Sequence, residues 1–107
     1  MESAQKTPTL DNAIRFYISP YNNVMILRWL PTVFRDGSFR FFFFSREESR
    51  IHIHVSHTDG EAKYWLEPSI ELAMSQGLSQ KQLTEALRLV EQHHQEILNA
   101  WRTHFGN

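Results

Sequence analysis

The 107-residue chain has no cysteine, four glycines and four prolines, and its formal net charge is −1. The absence of cysteine excludes a disulfide framework, a thiol nucleophile and a thiolate zinc site, and it fits a reducing cytoplasm, where we expect the protein. A charge near zero removes the electrostatic signature of a general DNA-binding protein. No apolar run reaches the roughly 20 residues of a membrane-spanning helix, so no membrane contact is expected.

Aromatic residues are the abundant class. The chain has eight phenylalanines, three tryptophans and three tyrosines, and four of the phenylalanines are consecutive. Hydrophobic residues make up 41% and charged residues 21%, which is typical of a globular protein rather than a disordered one. The length allows a single domain with one modest core.

Residues 1–29 differ from the rest because they show no strong period of two or of 3.6. Turn residues occur at Thr7-Pro8 and Ser19-Pro20. We therefore expect a loosely ordered extension over residues 1–29 and a single α+β domain over residues 30–107. A second hypothesis places the natural start near Met25 or Leu30.

Alternation of apolar and polar residues predicts strands over residues 39–45, 51–56 and 61–66, and it weakly favours a fourth over residues 70–74. Turn chemistry at Asp36-Gly37 and at Thr58-Asp59-Gly60 indicates antiparallel hairpins. The sequence thus predicts a small antiparallel β-meander of three to four strands.

A long amphipathic helix is predicted after the meander. Ser79 followed by Gln82 forms a capping box at its start, and Gly106 ends it. The fold class is therefore α+β, with the sheet packed against this C-terminal helix. Apolar residues recur at steps of three and four along one stripe, which is interrupted by a histidine that could mark a bend: Leu83, Leu87, Val90, His94, Ile97 and Trp101.

Strand parity separates the side chains into two faces. The first face is apolar and suits the helix stripe. Its members are Phe39, Phe41, Phe43, Ile51, Ile53, Val55, Ala62, Tyr64 and Leu66.

The second face mixes aromatic, cationic and imidazole side chains, a combination that suggests an exposed binding surface. Within it, Phe42, Phe44, Trp65 and Glu61 are the candidate binding residues. Its members are Arg40, Phe42, Phe44, His52, His54, Ser56, Glu61, Lys63 and Trp65.

Three interpretations of His52 and His54 compete. In the first, His52 and His54 are two ligands of a metal site that His57 or a carboxylate such as Asp59 or Glu61 completes. Two ligands alone do not define a metal site, so we predict neither a metal nor a cofactor.

In the second interpretation, His52 and His54 work with Lys63 and Arg40 as catalytic residues in RNA cleavage. The imidazoles supply the acid and the base, the cations stabilise the phosphate charge, and the aromatic rings stack on bases.

The third interpretation is structural. Histidines on a strand face are commonly polar surface residues, and Phe42, Phe44 and Trp65 could pack under the amino-terminal segment or under a partner.

Several stretches of the chain resemble a bacterial domain-of-unknown-function family, number 4160, over about residues 30–106. Many members carry prolines just before the histidines, where this chain has Arg50 and Ile51. The stretches are Pro31-Thr32-Val33-Phe34, Phe39-Arg40-Phe41-Phe42-Phe43-Phe44-Ser45, Glu48-x-Arg50, His52-Ile53-His54-Val55 and Ala62-Lys63-Tyr64-Trp65-Leu66-Glu67-Pro68.

The resemblance implies a small bacterial protein encoded beside a second small domain, in a two-gene module of toxin–antitoxin type, and it implies no established activity. We expect an interaction module that uses the second face to bind a small protein partner. The alternative is a metal-independent ribonuclease-type toxin, with RNA as its substrate. Edge strands in so small a sheet also make a homodimer possible.

Overall fold

The structure is a computed structural model, and it describes residues 14–18, 25–29, 31–44 and 49–106. Strands come first in this part of the chain and helices follow. In order, the elements are β1 (Ile14–Ile18), β2 (Met25–Trp29), β3 (Thr32–Asp36), β4 (Phe39–Phe42), β5 (His52–His57), β6 (Gly60–Trp65), β7 (Glu71–Gln76), α1 (Gln80–Gln92) and α2 (His94–Phe105).

The main sheet has five antiparallel strands in the order β3-β4-β5-β6-β7. Each strand pairs with its neighbour in sequence, so the predicted meander is confirmed, although with five strands rather than three to four. Two further strands, β1 and β2, form a separate antiparallel hairpin inside the region predicted as a loosely ordered extension. The rest of that region, residues 1–13 and 19–24, lies outside the described residues, as do residue 30, the segment 45–48 and residue 107.

The first face of the sheet packs against the helices and forms the core, as strand parity predicts. Trp101 of α2 stands edge-on to Phe43, with ring centroids 5.4 Å apart, and packs against Phe105 at 4.2 Å. The Tyr64 hydroxyl donates a hydrogen bond to the Leu83 carbonyl, which joins β6 to α1. Apolar burial by these large rings is the main favourable contribution to folding.

The predicted capping box is present at the start of α1. The Ser79 hydroxyl accepts from the Gln82 backbone N–H at 3.1 Å, and the Gln82 side chain accepts from the Ser79 N–H at 2.8 Å. At the other end of the helical region, Gly106 takes a left-handed conformation with φ 79°, which ends α2 as expected.

The single long helix of the sequence prediction is in fact two helices, because the chain leaves helical geometry at His93 (φ −101°, ψ 18°). Two contacts of its side chain favour this break. The ring stacks on Phe34 of β3 at 3.9 Å, and Nδ1–H donates to a Glu96 carboxylate oxygen at 2.8 Å. The predicted bend near His94 therefore falls one residue earlier. Neither helix in the described part of the chain is long and apolar enough to cross a membrane.

Candidate functional site

The centre of the second face is buried within the chain, whereas Ser56, Glu61 and Trp65 are half-buried. Arg40, His52, His54 and Lys63 are exposed by 7%, 0%, 1% and 3%, and they are the buried polar or charged residues of the described part of the chain. They are also the four residues that the sequence singles out for catalysis. Buried polar and charged groups are costly unless paired, so their concentration on one face marks it as unusual.

The aromatic residues of this face are buried as well. Phe42 and Phe44 are 1% and 4% exposed and form a small cluster separate from the main core, whereas Trp65 is half-buried. The expectation of exposed aromatic side chains on the second face is therefore wrong for the two phenylalanines. The alternative expectation of a packing surface agrees with their burial.

The two histidine rings meet edge to face, with centroids 5.1 Å apart. His52 Nδ1 lies 2.6 Å from the carbonyl oxygen of Arg50, and because a carbonyl only accepts, this nitrogen carries a hydrogen. The His52 ring also lies 5.2 Å from Trp101 and 5.6 Å from Trp65. The aromatic rings and the Arg50 carbonyl fix the orientation of His52.

His54 is surrounded by phenylalanine. Its ring lies 4.3 Å from Phe44 and 5.5 Å from Phe42, which is its cross-strand neighbour on β4. On the other side, its cross-strand neighbour on β6 is Lys63. The structure thus brings the two histidines and Lys63 together, as the acid–base hypothesis requires.

The cations of the second face lie over aromatic rings, where cation–π attraction favours them. The Arg40 guanidinium carbon is 4.4 Å from the centre of Phe42, and Arg40 Nε donates to Thr32 Oγ1 at 2.8 Å. Lys63 Nζ lies 4.3 Å from the centre of Trp65, and the Arg50 guanidinium carbon lies 4.2 Å from the same ring.

Glu61 lies opposite neither His52 nor His54. Its partner on β5 is Ser56, and Lys63 is the residue opposite His54. His57 and Asp59 lie at the far end of the β5–β6 hairpin, where His57 Nδ1 accepts from the Asp59 backbone N–H at 3.0 Å. Within the described segments, no three histidine, aspartate or glutamate residues group closely enough to hold a metal ion.

Sequence reasoning missed a second surface, at the β7 edge of the sheet. Leu72 on β7 is 47% exposed and is the exposed large hydrophobic residue of the described part of the chain. It lines a cavity of about 120 Å³ between β7 and α1, which we call the β7 groove. The alternation of Ile70 and Leu72 was visible in the sequence, but a pattern does not show which strand ends a sheet. The groove is lined by Tyr64, Ile70, Leu72, Gln80, Leu83, Thr84 and Leu87.

Comparison with known proteins identifies the patterned region. A family model described as a domain of unknown function, DUF4160, matches residues 38–102. This span includes His52 and His54 and most of the two helices. No curated protein and no solved structure matches the chain.

Proposed function

The chain belongs to the DUF4160 family, and we propose that it is an interaction module that binds an extended strand of a small protein partner along the outer edge of β7. The observation that carries the proposal is the exposed Leu72 beside a sheet edge to which no other described strand is paired. An open edge offers a row of backbone donors and acceptors, and an added strand satisfies them.

The β7 groove supplies side-chain specificity for such a strand. Leu72 shares the first face with Tyr64, its cross-strand partner, and the groove lies between this face and α1. Side chains alternate along a strand, so every second side chain of a bound segment would point toward the groove. A single aliphatic side chain there would cover Leu72.

The two edge strands of the main sheet, β3 and β7, differ in how well they are protected against pairing with an additional strand. The β3 edge carries Arg35 and Asp36 and follows Pro31, and charges and proline are devices that protect an edge. β7 likewise follows a proline, Pro68, and begins at the charged Glu71, but its remaining residues, 72–76, carry no charge. Its edge is therefore the better acceptor for an additional strand.

Charge favours a basic partner strand over a second copy of this chain. Glu67 and Glu71 flank the edge, both exposed, and residues 66–76 contain no lysine or arginine. In two copies paired antiparallel through β7, Glu71 would lie beside the uncharged carboxyl end of the other β7 and would gain no opposite charge, whereas a strand with lysine or arginine beside Glu71 would be attracted. The partner that fits is thus an alternating apolar and basic strand.

The source of this strand, in our proposal, is the product of the adjoining gene, within a cytoplasmic two-gene module of toxin–antitoxin type. The enclosed second face supports the β7 edge as the contact surface, because a partner would need no rearrangement of the fold to reach it. Pre-organised surfaces bind without the cost of conformational opening.

The test is a complex of this chain with the purified product of the adjoining gene, measured by calorimetry and by amide hydrogen exchange. We expect slowed exchange over residues 71–76 and a loss of affinity of about tenfold or more for Leu72→Lys, which places a cation in the groove. Gln92→Lys on the exposed side of α1 adds the same charge elsewhere and should leave affinity unchanged.

The proposal fails if the two proteins form no complex, or if protection falls on elements other than β7. It also fails if light scattering shows a homodimer of this chain with β7 protected, since the edge would then belong to a second copy.

A further inference from the structure

The burial of the second face is concentrated on the three inner strands of the sheet. Five buried residues lie there: Arg40 and Phe42 on β4, His52 and His54 on β5, and Lys63 on β6. Each of the five makes polar or ring interactions in addition to those given above. Another part of the chain therefore covers the centre of the second face.

The margins of the second face are open by contrast. Arg35 on β3 and Glu71 and Gln76 on β7 share cross-strand rows with residues of the inner strands, and all three are exposed. Ser56 and Trp65, toward the ends of β5 and β6, are half-buried. The covered area is thus three strands wide and stops short of both edges, which indicates a narrow covering element rather than a layer as wide as the sheet.

The described elements leave one candidate for this cover. The helices α1 and α2 pack against the first face, and β3 to β7 form the sheet itself. The hairpin of β1 and β2 remains. Its strands have five residues each, which corresponds to about 17 Å of extended chain, and one sheet can pack face to face on another.

The connection between the hairpin and β3 is short enough to hold the hairpin at the second face. Residues 30 and 31 alone separate Trp29, the last residue of β2, from Thr32, the first residue of β3. This connection spans about 10 Å, which is also the usual distance between two packed sheets. Thr32 Oγ1 accepts the hydrogen bond from Arg40 Nε, so this end of β3 borders the second face.

The register of the hairpin suits such a contact. Alternate residues of a strand share a face, and the pairing of β1 with β2 puts apolar residues of the two strands in the same cross-strand rows. The positions of opposite parity include Arg15 and Arg28, and arginine is seldom buried. The apolar set consists of Ile14, Phe16, Ile18, Met25, Leu27 and Trp29.

We infer that the β1–β2 hairpin lies across β4, β5 and β6 and is the cover of the second face, which is therefore a docking surface for a strand pair of the same chain. A ligand of His52 or His54 binds only after the hairpin has detached. The inference does not rest on the proposed β7 contact, because a partner along the edge of the sheet leaves the centre of the face covered.

The test compares two single substitutions in the full chain, Phe16→Thr and Tyr17→Thr. The two positions are neighbours of opposite parity, and threonine is a good strand former that preserves the pairing of the hairpin. Phe16→Thr removes a large ring from the apolar set, so diethyl pyrocarbonate should modify His52 and His54 about tenfold faster or more than in the wild type. Tyr17→Thr is the matched control and should leave both rates unchanged.

Amide hydrogen exchange over α1 checks that the rest of the fold is intact, and Phe16→Leu takes the place of Phe16→Thr if this exchange accelerates. The inference is overturned if the substitution at Phe16 leaves both modification rates as in the wild type, or if Tyr17→Thr raises them as much. It is equally overturned if light scattering shows a dimer and dilution to the monomer exposes the two histidines, because the cover would then belong to a second copy.

Discussion

The Tyr64 hydroxyl donates a 2.8 Å hydrogen bond to the backbone carbonyl oxygen of Leu83, and this bond ties the centre of the sheet to the first helix. Tyr64 is 1% exposed. Burial raises the pKa of its phenol to about 12, because an ionised phenolate would be poorly solvated there.

This raised pKa predicts a loss of stability in alkali that depends on Tyr64. In the unfolded chain the phenol ionises with a pKa of about 10. The stability contributed by the neutral phenol is therefore complete below pH of about 10 and is lost as pH rises toward 12.

Tyr64→Phe should lower the free energy of unfolding by about 1 kcal/mol near neutral pH, since it removes the bond to Leu83. The difference between wild type and variant should shrink from pH 10 to pH 12. Urea unfolding across this range measures it, and a difference independent of pH would contradict the account.

His94 and His93 are adjacent but should respond oppositely to replacement by leucine. Nε2 of His94 is buried without a hydrogen-bond partner in the described part of the chain, and the residue lies in the apolar stripe. His94→Leu should raise the free energy of unfolding by about 1 kcal/mol, because it removes an unsatisfied polar atom.

His93→Leu should instead destabilise the fold, because it removes the bond to Glu96 and the stacking on Phe34. Thermal unfolding of the two variants side by side gives the comparison. Equal shifts of the same sign would show that His93 does not anchor the helix break.

Gly60 is required because the start of β6 lies very close to the end of β7. A Cβ at this position would meet the backbone carbonyl oxygen of Gln76 and would lie 2.8 Å from the Cα of Gly77. Gly60→Ala should therefore destabilise the protein by about 3 kcal/mol, since backbone on both sides must move.

The control for Gly60 is Gly37→Ala. Gly37 has φ +57° but nothing within 4 Å of a Cβ, so only the backbone strain of about 1 kcal/mol is expected. Similar losses at both positions in chemical denaturation would contradict the steric explanation.

The ribonuclease hypothesis predicts that the protein cleaves RNA, whereas the burial of His52 and His54 predicts that it does not. With His52 and His54 at 0% and 1% exposure, a phosphodiester cannot reach either imidazole in this conformation. We expect purified protein to leave labelled RNA intact. If the wild-type protein cleaves RNA and a folded His52→Ala, His54→Ala variant does not, the result would support the ribonuclease hypothesis.

The sequence was sufficient to predict strands β4 to β6, the two hairpin turns and the capping box, because each depends on local chemistry. Alternation assigned Phe41 to the core and Phe42 to the opposite face, and both assignments hold. The hairpin of β1 and β2 was missed, although Ile14, Phe16 and Ile18 alternate with Arg15 and Tyr17.

The burial of a sheet face and the order of the strands depend on the whole fold, so they could not be predicted from local sequence patterns. Parity placed His52 and His54 beside Lys63, but the exposure of a face depends on what the rest of the chain does. The exposed edge at Leu72 depends likewise on sheet order, which no single segment encodes.

Histidine modification by diethyl pyrocarbonate, followed by peptide mass spectrometry, tests most directly the claim that the second face is enclosed. His104 is exposed and serves as the internal reference. In the native protein, His52 and His54 should react far more slowly than His104, and all three should react alike after denaturation. Reaction of His52 and His54 in the native protein at the rate of His104 would contradict it.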